Sequence, residues 1–86
     1  LDLAVLFALY SSFKDIAISQ EMTVVAEVGL TGEVRPVPGI AKRIRESFRQ
    51  GAKSIVVPYS QEKLERIEGC SIYPVKTLDE AIRLIG

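Results

Sequence analysis

The chain has 86 residues, with 11 basic and 11 acidic side chains, one cysteine and no histidine. This length fits one small domain, and the composition excludes Ser-His-Asp and Cys-His catalytic groups, an internal disulfide and a multi-cysteine zinc site within these residues. The longest apolar run, residues 3–10, is far shorter than the roughly 20 residues that a membrane-spanning helix needs. We therefore expect a cytoplasmic protein without a membrane segment.

The first predicted element is a helix over residues 1–13. Apolar side chains cover nearly every side of its helical wheel, which predicts burial on more than one side. The chain begins with Leu1 inside this pattern and without a capping residue before it. We therefore expect residues 1–86 to be a single domain fragment of a longer protein.

A predicted hairpin follows, after a connector at residues 16–20. Residues 23–30 are rich in β-branched side chains, and residues 33–37 alternate between apolar and polar side chains. The dipeptide at 31–32, Thr-Gly, is a turn signal between the two runs. Pro36 is expected at an edge or at the end of a strand.

The next predicted element is a helix with one apolar face. Ile40, Ile44 and Phe48 recur every four residues, and Gly51 is expected to end the helix.

Two similar strand-Pro-helix units are predicted in the remaining chain. In the first, a strand at 54–57 ends at Pro58, and Ser60 caps a helix through about Glu68. In the second, a strand at 71–75 is interrupted by Pro74, and Thr77 and Glu80 form a capping box for the last helix. The order α-β-β-α-β-α-β-α predicts an α/β fold, in the form of an α+β sandwich.

Charge is distributed unevenly along the chain. Residues 35–53 contain six basic side chains and one acidic one, a balance of +5, whereas the remaining 67 residues have a balance of −5. Helical spacing places positions 42, 45 and 49 in one stripe, with Arg43 on its flank. This stripe is either a solvated helix face or a surface for phosphate groups. The candidate DNA-binding residues are Arg35, Lys42, Arg43, Arg45 and Arg49.

Other side chains offer little chemistry. The three Phe and three Tyr mostly fall at core-like positions, which argues against base stacking and favours contacts to the nucleic-acid backbone, insensitive to sequence. Cys70 is expected to be a packing residue, because no partner thiol accompanies it. No catalytic residue is assigned.

Four sequence runs carry a resemblance to a known family. They are DLAVLFALYSSFKD at 2–15, EVGLTGEVRPVP at 27–38, GIAKRIRESFRQGAKSIVVP at 39–58 and VKTLDEA at 75–81. Together they resemble the C-terminal domain of the bacterial RadA (Sms) DNA repair family. That domain is similar in fold to the proteolytic domain of Lon proteases, and magnesium-chelatase-like ComM proteins carry a related hairpin.

The resemblance also tests for peptidase chemistry. Lon proteases use a Ser-Lys dyad, whose lysine corresponds to Arg43 here and whose serine would fall immediately before Leu1. An arginine stays protonated at physiological pH and cannot accept the serine proton. The resemblance therefore implies a domain that is not an enzyme, and a Lon-type Ser-Lys peptidase fragment remains the alternative.

The rest of the expected function follows from the same resemblance. A RadA-type parent would carry a zinc-binding segment and a RecA-like ATPase core upstream, so zinc, ATP and magnesium are expected outside this chain and no cofactor within it. Such proteins are expected to form hexameric rings that act on branched DNA in homologous recombination. This domain would then serve as a ring scaffold and a DNA-contacting surface. A purely oligomerisation module is a further alternative.

Overall fold

The computed structural model describes residues 2–14, 21–60, 64 and 66–84. Three helices and five strands form over these residues. In chain order they are α1 (Leu3–Lys14), β1 (Met22–Val24), β2 (Glu27–Val28), β3 (Val34–Arg35), α2 (Ile40–Arg49), β4 (Ser54–Pro58), β5 (Ser71–Val75) and α3 (Leu78–Arg83). The fold is thus mixed α/β, with one parallel and one small antiparallel sheet.

The parallel sheet has the strand order β1-β4-β5, with β4 in the centre. Ile55 pairs with Thr23 on one side and with Ile72 on the other. The side chains of Ile55, Val56 and Val57 are completely buried, as expected for a β-branched strand covered on both faces. β4 is therefore the strand around which the two cores form.

Successive β4 side chains point to opposite faces and belong to different cores. Val56 packs with residues of α1, β2 and α3, including Leu3, Phe7 and Ala81. On the other face, Ile55 and Val57 pack with Ile44 of α2. The sheet thus separates α2 from the layer that contains α1, the hairpin and α3.

The hairpin forms as predicted, but the first predicted strand is divided between two sheets. Glu27 pairs with Arg35, and Val28 pairs with Val34. Before this point, the Val25 N–H donates to the Val56 carbonyl at 2.9 Å, and the Leu3 N–H donates to the Ala26 carbonyl at 3.1 Å. The chain therefore leaves the parallel sheet after Val25, and the predicted strand at 23–30 is not one strand.

Pro74 does not interrupt β5, contrary to the prediction. The Ser71 N–H donates to the Lys53 carbonyl, and the Val75 carbonyl accepts from the Tyr59 N–H, both at 2.8 Å. Residues 71, 73 and 75 therefore direct their backbone groups toward β4, and the missing N–H of Pro74 falls on the outer edge of the strand. The ladder between β4 and β5 loses no hydrogen bond.

The capping box before α3 is confirmed, except that the Glu80 carboxylate accepts from the N–H of Lys76 and not from that of Thr77. Thr77 Oγ1 accepts from the Glu80 N–H at 3.2 Å. The Lys76 carbonyl in turn accepts from the Val34 N–H at 2.9 Å. The start of α3 is therefore hydrogen-bonded to the hairpin.

The wheel pattern predicted that the first helix is buried on more than one side. The described residues bury only one side of it. Leu3 and Phe7 are buried, whereas Val5, Leu9 and Phe13 are 49%, 62% and 83% exposed. The reason is that the sheet and hairpin reach only one side of α1. No helix within the described ranges has the length and apolarity that crossing a lipid bilayer requires.

The described residues of the predicted helix from Ser60 to about Glu68 are not helical. Leu64, Arg66 and Ile67 are not helical, and Glu68 begins a turn with Gly69; residues 61–63 and 65 lie outside the described residues, as does the predicted connector at 16–20. Leu64 and Ile67 nevertheless pack on the core that contains Ile44. The side chains of these two non-helical residues are thus half-buried. The observed order of elements is α-β-β-β-α-β-β-α over the described residues.

Candidate functional site

The basic segment between residues 35 and 53 is distributed over three places in the fold. Arg35 ends β3, Lys53 precedes β4, and four cations lie on α2. All six side chains are exposed. The predicted site residues therefore all lie at the surface, and most of them share one helix.

The helix α2 has one apolar and one charged side. It starts after Gly39, whose φ of 68° places it in the left-handed region that favours glycine. Ile44 is 3% exposed and packs against β4, while Lys42, Arg45 and Arg49 are exposed. The stripe predicted from the spacing is thus present, and we call these three residues the α2 stripe.

Arg35 is held by contacts within its own hairpin. Its guanidinium donates to Glu33 Oε1 from Nη2 at 3.0 Å and from Nε at 3.2 Å. Glu33 also accepts from the hydroxyl of Thr31. These contacts hold Arg35 against its own hairpin.

The same contacts change the acidity of Glu33. The hydrogen bond from Thr31, the bond from the backbone N–H of Glu33 and the bond and charge of Arg35 lower the pKa of this carboxyl to about 2, although slight desolvation opposes the shift. Glu33 is therefore ionised throughout the physiological range and remains a partner for Arg35.

Arg43 lies on the flank of α2 and lines a cavity of about 310 Å³. Its Nε donates to the Pro38 carbonyl at 3.1 Å. Asp2, Glu46 and Ser47 line the same cavity. The fold thus brings the beginning of α1 and the residue at the expected dyad-lysine position to one cavity.

A second pocket lies beside the α2 stripe and was not predicted. It has a volume of about 460 Å³ and is lined by Arg45, Phe48, Arg49 and Ile67. The i, i+3 spacing of Arg45 and Phe48 could have indicated that the two side chains are neighbours on the helix.

The expectation that the aromatic side chains lie mostly in the core is wrong. Phe7 is buried, but Phe13, Tyr59 and Tyr73 are 83%, 52% and 38% exposed. Tyr10 and Phe48 are half-buried. An aromatic ring beside the cations is therefore part of this surface.

Cys70 packs as predicted. Its side chain lies against the core formed by Ile44, Ile55 and Val57. Desolvation by burial raises the pKa of its thiol, which disfavours the nucleophilic thiolate. Within the described ranges, no three His, Cys, Asp or Glu side chains are grouped so that they could hold a metal ion.

Comparison with known proteins gives both a family and individual relatives. The sequence model of the family described as subunit ChlI of Mg-chelatase matches residues 1–61. The DNA repair protein RadA of Escherichia coli is 41% identical over 81 residues, which are 94% of this chain and 18% of that protein. RadA of Haemophilus influenzae is 38% identical over 84 residues, which are 98% of this chain and 18% of that protein.

A protein with a different name is also similar. Lon protease 2 of Bacillus subtilis is 29% identical over 82 residues, which are 93% of this chain and 15% of that protein. The chain spans less than a fifth of the length of these three relatives. The similarity to the RadA proteins covers nearly the whole chain at 36–41% identity. The chain therefore belongs to the family described as subunit ChlI of Mg-chelatase, and it is homologous to the C-terminal part of the DNA repair proteins RadA.

Proposed function

We propose that this chain is a non-catalytic, Lon-like domain of a RadA-type DNA repair ATPase and that it contacts the DNA backbone through α2. One observation carries the proposal: Lys42, Arg45 and Arg49 lie exposed on a helix whose opposite side is fixed to the sheet through Ile44. A row of cations on a helix that is fixed to the sheet suits a regular row of phosphates. The names of the relatives support a role in DNA repair.

The contacts are proposed to be insensitive to base sequence, because phosphate contacts carry no sequence information. Arginine matches phosphate oxygens with paired donors, and Lys42 adds a point charge. Arg43 lies beside the stripe and completes the set on α2. Arg35 contributes least, because Glu33 already accepts from two of its nitrogen atoms.

The Lon-like fold and the lack of peptidase activity belong to the same proposal. The similarity to Lon protease 2 and the shared cavity of Asp2 and Arg43 support the fold. A guanidinium at position 43 cannot act as the general base that a Ser-Lys dyad needs. We expect the full-length protein to leave casein intact; cleavage that is lost in Arg43→Ala would instead establish a peptidase.

Ring assembly is the remaining part of the proposal. The exposed apolar side of α1, with Val5, Leu9 and Phe13, is the surface that another part of the assembly would cover in a hexameric ring. ATP and magnesium are assigned to an ATPase core outside residues 1–86. Zinc is likewise assigned elsewhere, because one cysteine and no histidine cannot supply a four-cysteine site.

Duplex DNA binding by the full-length protein tests the proposal. The double variant Lys42→Gln, Arg49→Gln removes two stripe charges and should lower affinity for every duplex sequence. The slope of log affinity against log salt should decrease by about 0.9 for each lost phosphate contact.

The matched control is the double variant Lys14→Gln, Arg83→Gln, which removes one lysine and one arginine from the last turns of α1 and α3. It should leave affinity and slope unchanged. Equal losses in both variants, or none in the stripe variant, would remove DNA contact from the proposal and favour a purely oligomerisation module.

A further inference from the structure

The pocket beside the α2 stripe combines an aromatic ring, an aliphatic side chain and two guanidinium groups. Its volume of about 460 Å³ lies within the range of sites that hold small organic groups. Phosphate binding alone does not need such a surface, since phosphates require donors and charge and no apolar floor. The pocket is therefore suited to an anion that carries an apolar, planar body.

Phe48 is the central residue of this pocket. It is the penultimate residue of α2 and is half-buried. Neither core cluster of the described residues includes it. A Cβ placed on Gly69 would lie 3.9 Å from Phe48 Cε1, so the turn at Gly69 approaches the ring edge. The ring is thus supported by its neighbours while part of its surface lines the pocket.

The charges beside the ring are also suitably placed. Arg45 and Arg49 are four residues apart on one helix, and their Cα atoms are therefore separated by about 6 Å along the axis. Both line the pocket together with Ile67. An aromatic ring next to arginines is the combination that proteins use to hold single-stranded nucleic acid, by stacking a base and pairing its phosphates.

We propose that this pocket holds one unstacked base of single-stranded DNA on Phe48 and Ile67, while Arg45 and Arg49 contact the adjacent phosphates. This inference rests on the proposed function and refines it, because it assigns a preference for unpaired strands. Bases in a duplex are stacked and paired, so they cannot enter the pocket. Every base has an aromatic face, so the contact stays insensitive to sequence.

The test compares three DNA ligands of equal length with the full-length protein: a single strand, an abasic single strand and a duplex. Phe48→Leu keeps an apolar side chain but removes the aromatic ring. It should weaken binding of the natural single strand by about 5- to 150-fold, the usual effect of losing one base stack. Binding of the abasic strand and of the duplex should be unchanged.

Two further variants separate stacking from damage to the fold. Phe48→Tyr retains an aromatic ring and should restore binding of the single strand. Tyr73→Leu removes a ring that is 38% exposed on β5, and it should change none of the three affinities. A single strand with 5-iodouracil should form a photochemical cross-link at Phe48 in the natural protein and lose it in Phe48→Leu.

Equal affinity of Phe48→Leu and the natural protein for the single strand, or equal losses for all three ligands, would overturn the inference. So would a cross-link that maps elsewhere on the domain. The proposed function has a different test, because it requires the loss of duplex binding in the Lys42→Gln, Arg49→Gln variant. The base-stacking inference and the proposed function can therefore each be refuted while the other stands.

Discussion

Three cations of the same basic segment illustrate how differently the hairpin and α2 use positive charge. Arg35 on the hairpin donates twice to Glu33, and Glu33 is further held by Thr31. Lys42 and Arg49 on α2 are exposed, and no carboxylate of the described residues forms an ion pair with either of them. One cation stabilises its own turn, whereas the other two are available to an external anion.

Local geometry explains the difference. Residues two apart on a strand share a face, so Glu33 and Arg35 meet on the same side of the hairpin. On α2 the spacing of the stripe directs three cations away from Ile44 toward solvent. A net charge counted along the sequence treats these residues alike, although the nearest acceptor decides what each of them can bind.

The largest expected effect concerns the attachment of α2 to the sheet. Ile44→Ala should lower the free energy of unfolding by about 2–5 kcal/mol, because it leaves a cavity beside Ile55 and Val57. Denaturant unfolding monitored by circular dichroism would measure the loss. Ile40→Ala, at a half-buried position on the same side of the helix, is the control and should cost less. A loss below about 1 kcal/mol for Ile44→Ala would contradict the role of Ile44 in holding the stripe in place.

The second prediction compares the two arginines directly. Arg49→Gln should lower duplex affinity and reduce the salt slope by about 0.9, as expected for one lost phosphate contact. Arg35→Gln removes the same charge but should change affinity less than twofold, because Glu33 has already neutralised it. Fluorescence anisotropy of a labelled duplex at several salt concentrations would measure both. Similar salt slopes for the two variants would show that Arg35 on the hairpin and Arg49 on α2 do not differ in their contact with DNA.

The third prediction uses the acidity of Glu33. Its pKa in the folded state, about 2, lies below the ordinary value of 4.5 that applies when the chain is unfolded. The ionised carboxylate therefore stabilises the fold above about pH 4.5, and this contribution is lost as the pH falls toward 2.

Glu33→Gln is the variant that tests this prediction. It should abolish this part of the pH dependence, so the difference in unfolding free energy between natural and variant protein should shrink as the pH falls. A difference that stays constant from pH 6 to pH 2 would show that the Thr31 and Arg35 contacts do not form in solution.

The smallest effect is expected at Gly29. A Cβ at this position would overlap with Glu33 Oε1 and lie 2.8 Å from Arg35 Nε, so alanine must displace the ion pair. Both atoms belong to flexible side chains, and alanine also restricts the unfolded chain, so Gly29→Ala should change stability by less than about 1 kcal/mol.

The pKa of Glu33 should respond to the same substitution more clearly. It should rise from about 2 toward 4.5, because the displaced carboxyl loses its donors. An NMR titration of the carboxyl carbon would measure the shift. An unchanged pKa would mean that the hairpin accommodates the methyl group without separating Glu33 from Arg35.

The sequence predicted the elements whose signals are local. The spacing of Ile40, Ile44 and Phe48 located α2, and Thr77 with Glu80 located the start of α3. Local signals did not reveal where the chain leaves the parallel sheet. That point depends on the hydrogen bond from Val25 to Val56 and on the one from Leu3 to Ala26, whose partners are distant in the chain.

The candidate site was predictable to a similar degree. The α2 stripe followed from spacing alone, since side chains three and four residues apart share one side of a helix. Counting charges along the sequence could not predict the pairing of Arg35 with Glu33, because this pairing depends on the geometry of the hairpin. The pocket at Phe48 requires Ile67, which the capping signal at Ser60 had placed in a helix, whereas Ile67 is not helical.

The position of Pro74 has a consequence for the behaviour of the protein at high concentration. An outer strand with free N–H groups can recruit the strand of another molecule and start the growth of fibrils. The outer side of β5 offers no donor at Pro74, and β1 at the opposite end of the sheet has only three residues. Both ends of this sheet are thus poor templates for adding further chains, so molecules crowded together are protected from joining through their backbones.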